Sequence, residues 1–263
     1  MSDYLLDNRA AAAGERFRAF AQLFDPFTFR HVDALGIARG WRCWEVGAGG
    51  TSVVEGLAAR VGPEGRVLAT DIDVSWAAAA GGAPIEVRRH DVTRDLPPAE
   101  TFDLIHARLV LVHLPDRTAA LRTLVAALRP GGWLLIEDAD PALQPLSCLD
   151  PTTPAEALAN RIRTGFRTLL AARGVDLAYG RKLPRLLREA GLAGVEADAY
   201  FPVARAACAP LERATIAIVR DQIVAGGIAT ETEVDAHLQN VAAGRLDLSQ
   251  PPMIAAWGQR LPL

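Results

Sequence analysis

The sequence has few cysteines, a single lysine and no long apolar run, and each scarcity closes off a class of protein. Cys43, Cys148 and Cys208 are widely separated and odd in number, which argues against a disulfide framework and for a reducing compartment. None has zinc-type spacing. No apolar stretch approaches the ~20 residues that a bilayer helix requires. Met1 to Asn8 carry two aspartates and lack the basic start and apolar centre of an export signal. The expectation is a soluble, cytoplasmic protein with no membrane partner. The formal charge is −3 and the pI about 6.0, so no whole-protein field gathers nucleic acid or anionic lipid. What the chain has in plenty is apolar residues, 50% of 263, enough for one large α/β core with a modest addition.

Periodicity divides the chain. From Asn8 to Leu35 Phe17, Phe20, Leu23 and Phe24 recur at helical spacing, and Asp25-Pro26 reads as an N-cap followed by proline at the first helical position. Two leading helices are expected. Beyond Gly40 short apolar runs at Arg42–Val46, Arg66–Thr70, Ile85–Arg89, Phe102–Ala107 and Trp133–Glu137 alternate with helical stretches, the pattern of a parallel sheet. Gly62-Pro63 ends one helix, Asp116 caps another, and Pro130-Gly131-Gly132 halts it before the fifth strand.

The proline-rich stretch from Pro141 to Pro154 reads as a linker. Thr153 and Glu156 then form a capping-box pair that opens a long helix. Its apolar stripe is Leu158, Ile162, Phe166, Leu169 and Leu170, with Arg161, Arg163, Arg167 and Arg173 mostly on other faces. A short helix after Gly180, a strand at Val195–Val203, helices at Pro210–Ala225 and Glu231–Ala243, and an edge strand within Met253 to Leu261 complete the chain. Thr230 and Glu233 repeat the capping-box spacing, and there is no internal repeat.

The densest chemical signal is Trp44-Glu45-Val46-Gly47-Ala48-Gly49-Gly50-Thr51, between the first strand and the first core helix. Glycine lets a ligand approach the backbone, and the helix N-terminus offers unpaired N–H groups, although a tight strand-to-helix turn would look the same. Roughly twenty residues on, Asp71 ends the second strand, where a carboxylate can accept both hydroxyl hydrogens of a ribose. Asp73 reads instead as the cap of the next helix. Asp91, after the third strand, can accept an exocyclic amine while Ile72 and Val92 sandwich a ring; taken alone, it reads better as a turn-forming aspartate.

With these landmarks, Phe102-Asp103-Leu104-Ile105-His106-Ala107-Arg108 and Leu128-Arg129-Pro130-Gly131-Gly132-Trp133 complete a series that resembles the class I S-adenosylmethionine-dependent methyltransferases over about Arg42 to Asp138. Val110 to Asp116 further resembles the small-molecule, secondary-metabolite branch of that family. Thr51 stands where many members carry a third glycine. The resemblance implies an α/β, Rossmann-like, seven-stranded, mostly parallel sheet with helices on both faces, plus N-terminal helices and a helical lid. The corresponding division is a cap at 1–40, a cofactor core at 41–140, and a lid with the end of the sheet at 141–263.

It also implies S-adenosyl-L-methionine as cofactor. Gly47, Ala48 and Gly49 would lie under its methionine part with Glu45 near the amino group, Asp71 at the ribose, and Asp91 at adenine with Ile72 and Val92 on the faces of the ring. His106, Ala107 and Arg108 would face the methyl group. Methyl transfer from a sulfonium is mainly a matter of positioning, but a phenol, hydroxyl or protonated amine also needs a base. His113 is the first candidate, then His106 and Asp138. Glu137, Asp138 and Asp140 are acidic neighbours, but with Ala107-Arg108 ending the fourth strand no metal is expected.

The expected partner is a small, apolar or aromatic acceptor, with the chain a monomer or homodimer. The lid would be built from Tyr4 to Phe29 and Thr153 to Arg173, with Phe27, Phe29 and Phe166 as possible walls. A nicotinamide-dependent oxidoreductase is the lesser alternative, because Ser52 replaces the final fingerprint glycine and the sole lysine, Lys182, follows Tyr179 by three. A non-catalytic S-adenosylmethionine-binding subunit is the other.

Overall fold

The computed structural model describes residues 5–6 and 12–262. Its strands are β1 (Arg42–Val46), β2 (Arg66–Asp71), β3 (Ile85–Arg89), β4 (Phe102–Arg108), β5 (Leu128–Ala139), β6 (Ala193–Tyr200) and β7 (Met253–Gln259). The helices are α1 (Ala13–Ala34), α2 (Ser52–Val61), α3 (Arg117–Ala127), α4 (Pro154–Ala171), α5 (Leu183–Glu189), α6 (Cys208–Ala225) and α7 (Glu231–Ala242). The strands form one seven-stranded sheet in the order β3-β2-β1-β4-β5-β7-β6. The pairs β3-β2, β2-β1, β1-β4 and β4-β5 are parallel, and β7 runs antiparallel to β5. The order reverses at β1 and β4, so ligand chemistry is expected at their carboxyl ends.

Central strands covered on both faces need apolar residues at nearly every position. Trp44, Leu68, Phe102, Leu104, Ile105, Leu134 and Leu135 supply them and are fully buried. The Trp44 indole N–H, which burial would otherwise orphan, donates to Thr70 Oγ1 at 2.9 Å. Edge strand β3 is half exposed.

Contacts divide the chain into two compact units. The sheet unit comprises residues 25–139, 179–199 and 253–263; the other comprises the chain up to 24 with 140–178 and 200–252. The second unit packs Leu5, Leu6, Ile162, Phe166, Ile216, Val219, Ile223 and Val234 into its own core. Both expected capping boxes are present, Thr153 with Glu156 and Thr230 with Glu233. Inside this unit Arg163 is buried rather than on an outer face. Its guanidinium is ion-paired with Glu212, which also accepts from His237 Nε2 at 3.1 Å.

Four local expectations change. The leading segment is one helix, α1, with Pro26 inside it, because Asp25 spends its carboxylate on Arg108 (2.9 Å) instead of capping a new turn. The unit boundary nevertheless falls at Phe24/Asp25, beside that proline. Pro130-Gly131-Gly132 does not precede β5 but lies within it, taken up by a register shift opposite Phe102 and Leu104. β7 is an interior strand between β5 and β6, as its nearly continuous burial requires, and β6 takes the edge. Asp73 caps no α-helix. Its Oδ1 accepts from the Ser75 N–H in a local turn, and Ala77–Ala80 form only a short 3-10 turn.

Among the described residues no helix is long and apolar enough to cross a membrane. Cys43, Cys148 and Cys208 are buried and unpaired.

Candidate functional site

β1 ends in a turn whose backbone favours glycine. Gly47 and Gly49 have φ of +66° and +58°. A Cβ on Gly47 would also lie 2.3 Å from Val110 Cγ2, so the first obligation of this glycine is to the chain beyond β4. The Ala48 N–H donates to Thr70 O at 3.0 Å, and the Gly49 N–H donates to Asp71 Oδ2 at 2.9 Å. α2 then begins at Ser52 with no side-chain cap.

Asp71 is thereby fixed from two sides, because its Oδ1 accepts from the Asp73 N–H at 3.0 Å. Burial pushes its carboxyl upward, and the Asp73 and Gly49 N–H groups oppose the shift. Each oxygen still has accepting capacity. Ile72 beside it is 56% exposed, an unusual position for a bare isoleucine. The His90 N–H donates to Asp71 O at 2.9 Å and so brings the end of β3 alongside.

There Asp91 Oδ1 accepts from the Thr93 N–H and hydroxyl at 2.9 and 2.6 Å, the turn-forming arrangement. Burial alone would raise its carboxyl, but these bonds and the charge of Arg94 hold it below its ordinary value. Val92 is buried. Asp71, Ile72, Asp91 and the glycine turn thus border one end of the sheet.

At the end of β4, His106 is wholly buried between two carboxylates. Nδ1 lies 2.6 Å from Glu45 Oε2 and Nε2 lies 3.3 Å from Glu137 Oε2. Burial would depress the imidazole, yet the two glutamates outweigh it and lift it to about 9. Burial likewise works against ionised Glu137, but contacts with His106 and His31 hold it at about 2. Glu45, more affected by burial than by its partner, is pushed upward.

Glu137 also accepts from Thr28 Oγ1 at 2.5 Å. Arg108 donates to Thr28 Oγ1 and Asp25 Oδ1, both at 2.9 Å. Glu45 and Arg108 are therefore engaged within the protein, and Ala107 is buried in the sheet. Asp198 of β6 joins the group through His31 Nε2 at 2.8 Å; no motif marked it, Thr28 or His31.

After β4 the chain turns sharply, Leu109 adopting φ of +57°. His113 ends the following 3-10 turn, half buried, with its N–H on Val110 O at 3.0 Å. Asp138, near the end of β5, is sealed from solvent. Burial drives its carboxyl well above the ordinary range, tempered by the Val112 N–H and the charge of Arg117.

Asp140 accepts from the Leu143 N–H at 3.1 Å. Among the described residues no group of three or more His, Cys, Asp or Glu is arranged to hold a metal ion. Phe29 is no wall of this site: its ring sits on Gly56 of α2 with Arg60 4.2 Å from its centroid. Phe166 belongs to the core of the other unit, and Tyr4 lies outside the described residues.

Residues 12–197 match the methyltransferase-domain family. The methyltransferase str2 of Strobilurus tenacellus is 40% identical over 143 residues, covering 53% of this chain and 48% of that protein. The chain thus spans about half the length of that relative. Phosphoethanolamine N-methyltransferase 3 of Arabidopsis thaliana is 32% identical over 43% of this chain and 20% of its own length. Among solved structures, the phosphoethanolamine N-methyltransferase 2 of Haemonchus contortus, with phosphomonomethylethanolamine and S-adenosylhomocysteine bound, superposes with a TM-score of 0.60 at 14% identity. That match covers 100% of this chain and 61% of that chain. With 12–197 matched and the β3-β2-β1-β4-β5-β7-β6 sheet in place, the chain belongs to the methyltransferase-domain family.

Proposed function

We propose that the chain binds S-adenosyl-L-methionine at the turn after β1 and transfers its methyl group to a small organic acceptor. The observation that carries this reading is the Gly49 N–H to Asp71 Oδ2 bond beside exposed Ile72. It locks a carboxylate with spare accepting capacity next to a glycine turn and a bare apolar surface, an arrangement that fits an adenosine. Asp71 would accept from the ribose hydroxyls, Ile72 and Val92 would flank the adenine, and Asp91 would take its amine alongside Thr93. Gly47, Ala48 and Gly49 would offer backbone to the methionine end.

When bound, the cofactor supplies a methyl group already activated by its sulfonium charge. The protein's own task is then alignment of the acceptor and exclusion of water. For an acceptor that must lose a proton, His113 is the group to take it. His106 already has both ring nitrogens against carboxylates, and Asp138 is closed to solvent. The near-balanced charge favours small, apolar or aromatic acceptors over nucleic acid. The phosphoethanolamine N-methyltransferases among its relatives also act on a small molecule. The unpaired cysteines favour a cytoplasmic setting.

The test is a screen of small phenolic, hydroxyl and amine acceptors for release of S-adenosylhomocysteine. Acceptor-dependent release supports the reading. NAD or NADP bound in preference to S-adenosylmethionine would replace it with an oxidoreductase.

A further inference from the structure

A continuous polar chain runs through the sheet unit beneath the glycine turn. It passes from Glu45 on β1 to His106 on β4 (2.6 Å), to Glu137 on β5 (3.3 Å), to His31 on α1 (3.5 Å) and to Asp198 on β6 (2.8 Å). Glu45, His106, Glu137 and His31 are all buried, and only Asp198 reaches solvent. Thr28 and Arg108 close the set around Glu137, with Asp25 behind Arg108.

Buried carboxylates need a cation or several hydrogen bonds, or they take up protons. A neutral imidazole has one N–H and one lone pair, so it would point that lone pair at one of the two glutamates. Only the doubly protonated ring donates to both. The clamp then ties together the three adjacent central strands β1, β4 and β5 at their carboxyl ends. Glu45 is two residues before Gly47, where there is no room for a Cβ beside Val110, so the direction in which β1 enters the turn depends on where the Glu45 side chain is held.

We propose that His106 is a positioning residue. As a doubly donating cation between Glu45 and Glu137 it fixes Glu45, and through it the Gly47–Gly49 turn that receives the cofactor. This rests on the assignment of that turn as the S-adenosylmethionine site. It also gives the histidine at the end of β4 a role that does not involve the acceptor's proton.

The experiment is calorimetric titration of the full chain with S-adenosylhomocysteine, for wild type, His106→Gln and Glu45→Gln, from about pH 6.5 to about pH 10. It is paired with nitrogen-15 spectra of histidine-labelled protein. Wild-type affinity should hold at neutral pH and fall by about tenfold in the alkaline range, as one charge-assisted hydrogen bond is lost. His106→Gln should bind about tenfold more weakly at neutral pH and show no alkaline fall. In turnover it should raise the KM for the cofactor more than it lowers kcat.

Glu45→Gln keeps the shape and should move the alkaline fall to lower pH, which decides the matter if His106→Gln does not fold. One histidine ring should give imidazolium signals above neutral pH that shift when S-adenosylhomocysteine is added. Wild type that binds, with variants within twofold and an unchanged pH profile, would overturn the positioning role alone. Wild type that does not bind would overturn the site assignment and this role together.

Discussion

Gly47 and Val110 meet so closely across the ends of β1 and β4 that a Cβ on the glycine would fall 2.3 Å from Val110 Cγ2. The contact joins the start of the glycine turn to the strained segment after β4, where Leu109 has φ of +57°. One residue therefore answers to two constraints, a positive φ and a steric limit.

Gly47→Ala should cost about 1–3 kcal/mol of stability by overpacking, with further cost from its φ, and should weaken binding of S-adenosylhomocysteine. Val110→Ala, made in the same chain, relieves the steric part only. Denaturant melts of the single and double variants check this: partial rescue is expected, and strict additivity would mean the two residues do not oppose each other.

In the second unit, Arg163→Met leaves Glu212 buried without its guanidinium partner and with the His237 contact still in place. Breaking a buried pair from one side typically costs about 3–5 kcal/mol. Thermal unfolding should show that loss. Replacing Arg163 and Glu212 together by apolar residues should recover much of it.

Stability should depend on pH through the buried clamp. His106 is raised from 6.5 to about 9, so its contribution is complete below 6.5 and is lost as pH rises through about 9. Glu137 is lowered from 4.5 to about 2, so its contribution is complete above 4.5 and is lost as pH falls through about 2. Melting temperatures across pH should fall on both flanks, and His106→Gln should flatten the alkaline one. An alkaline flank unchanged in that variant would place its cause elsewhere.

His113→Ala should lower turnover by about 10²–10⁴-fold on an acceptor that must lose a proton, with little change in cofactor binding. Rates within a few-fold of wild type across pH would leave His113 a packing residue.

Most of the sheet was legible because its strands are short apolar runs between recognisable helix stops. The caps at Asp116, Thr153 and Thr230 were legible because capping is local chemistry. β7 was expected at an edge, although its run Met-Ile-Ala-Ala-Trp-Gly leaves no polar face for one, and it lies between β5 and β6 instead. α1 misled because Asp-Pro is a helix start only when Asp25 is free to cap, and its partner Arg108 lies 83 residues away.

The site divides in the same way. Asp71 and the glycine turn could be placed from the end of a strand and the need for positive φ. Nothing local marked that His106 stands between Glu45 and Glu137, since both reach it only through strand pairing. Asp91 kept both of its readings, and its turn with Thr93 is the one visible without a ligand.

The turn after Val46 and the Asp71 carboxylate are proposed to receive one adenosine-bearing sulfonium compound. A crystal structure of the chain grown with S-adenosylhomocysteine is the decisive measurement. The ribose hydroxyls should lie on Asp71, the adenine against Ile72 and the amino-acid end over Gly47 and Gly49. A nucleoside bound elsewhere on the protein, with Asp71 still facing only the Gly49 and Asp73 N–H groups, would contradict it.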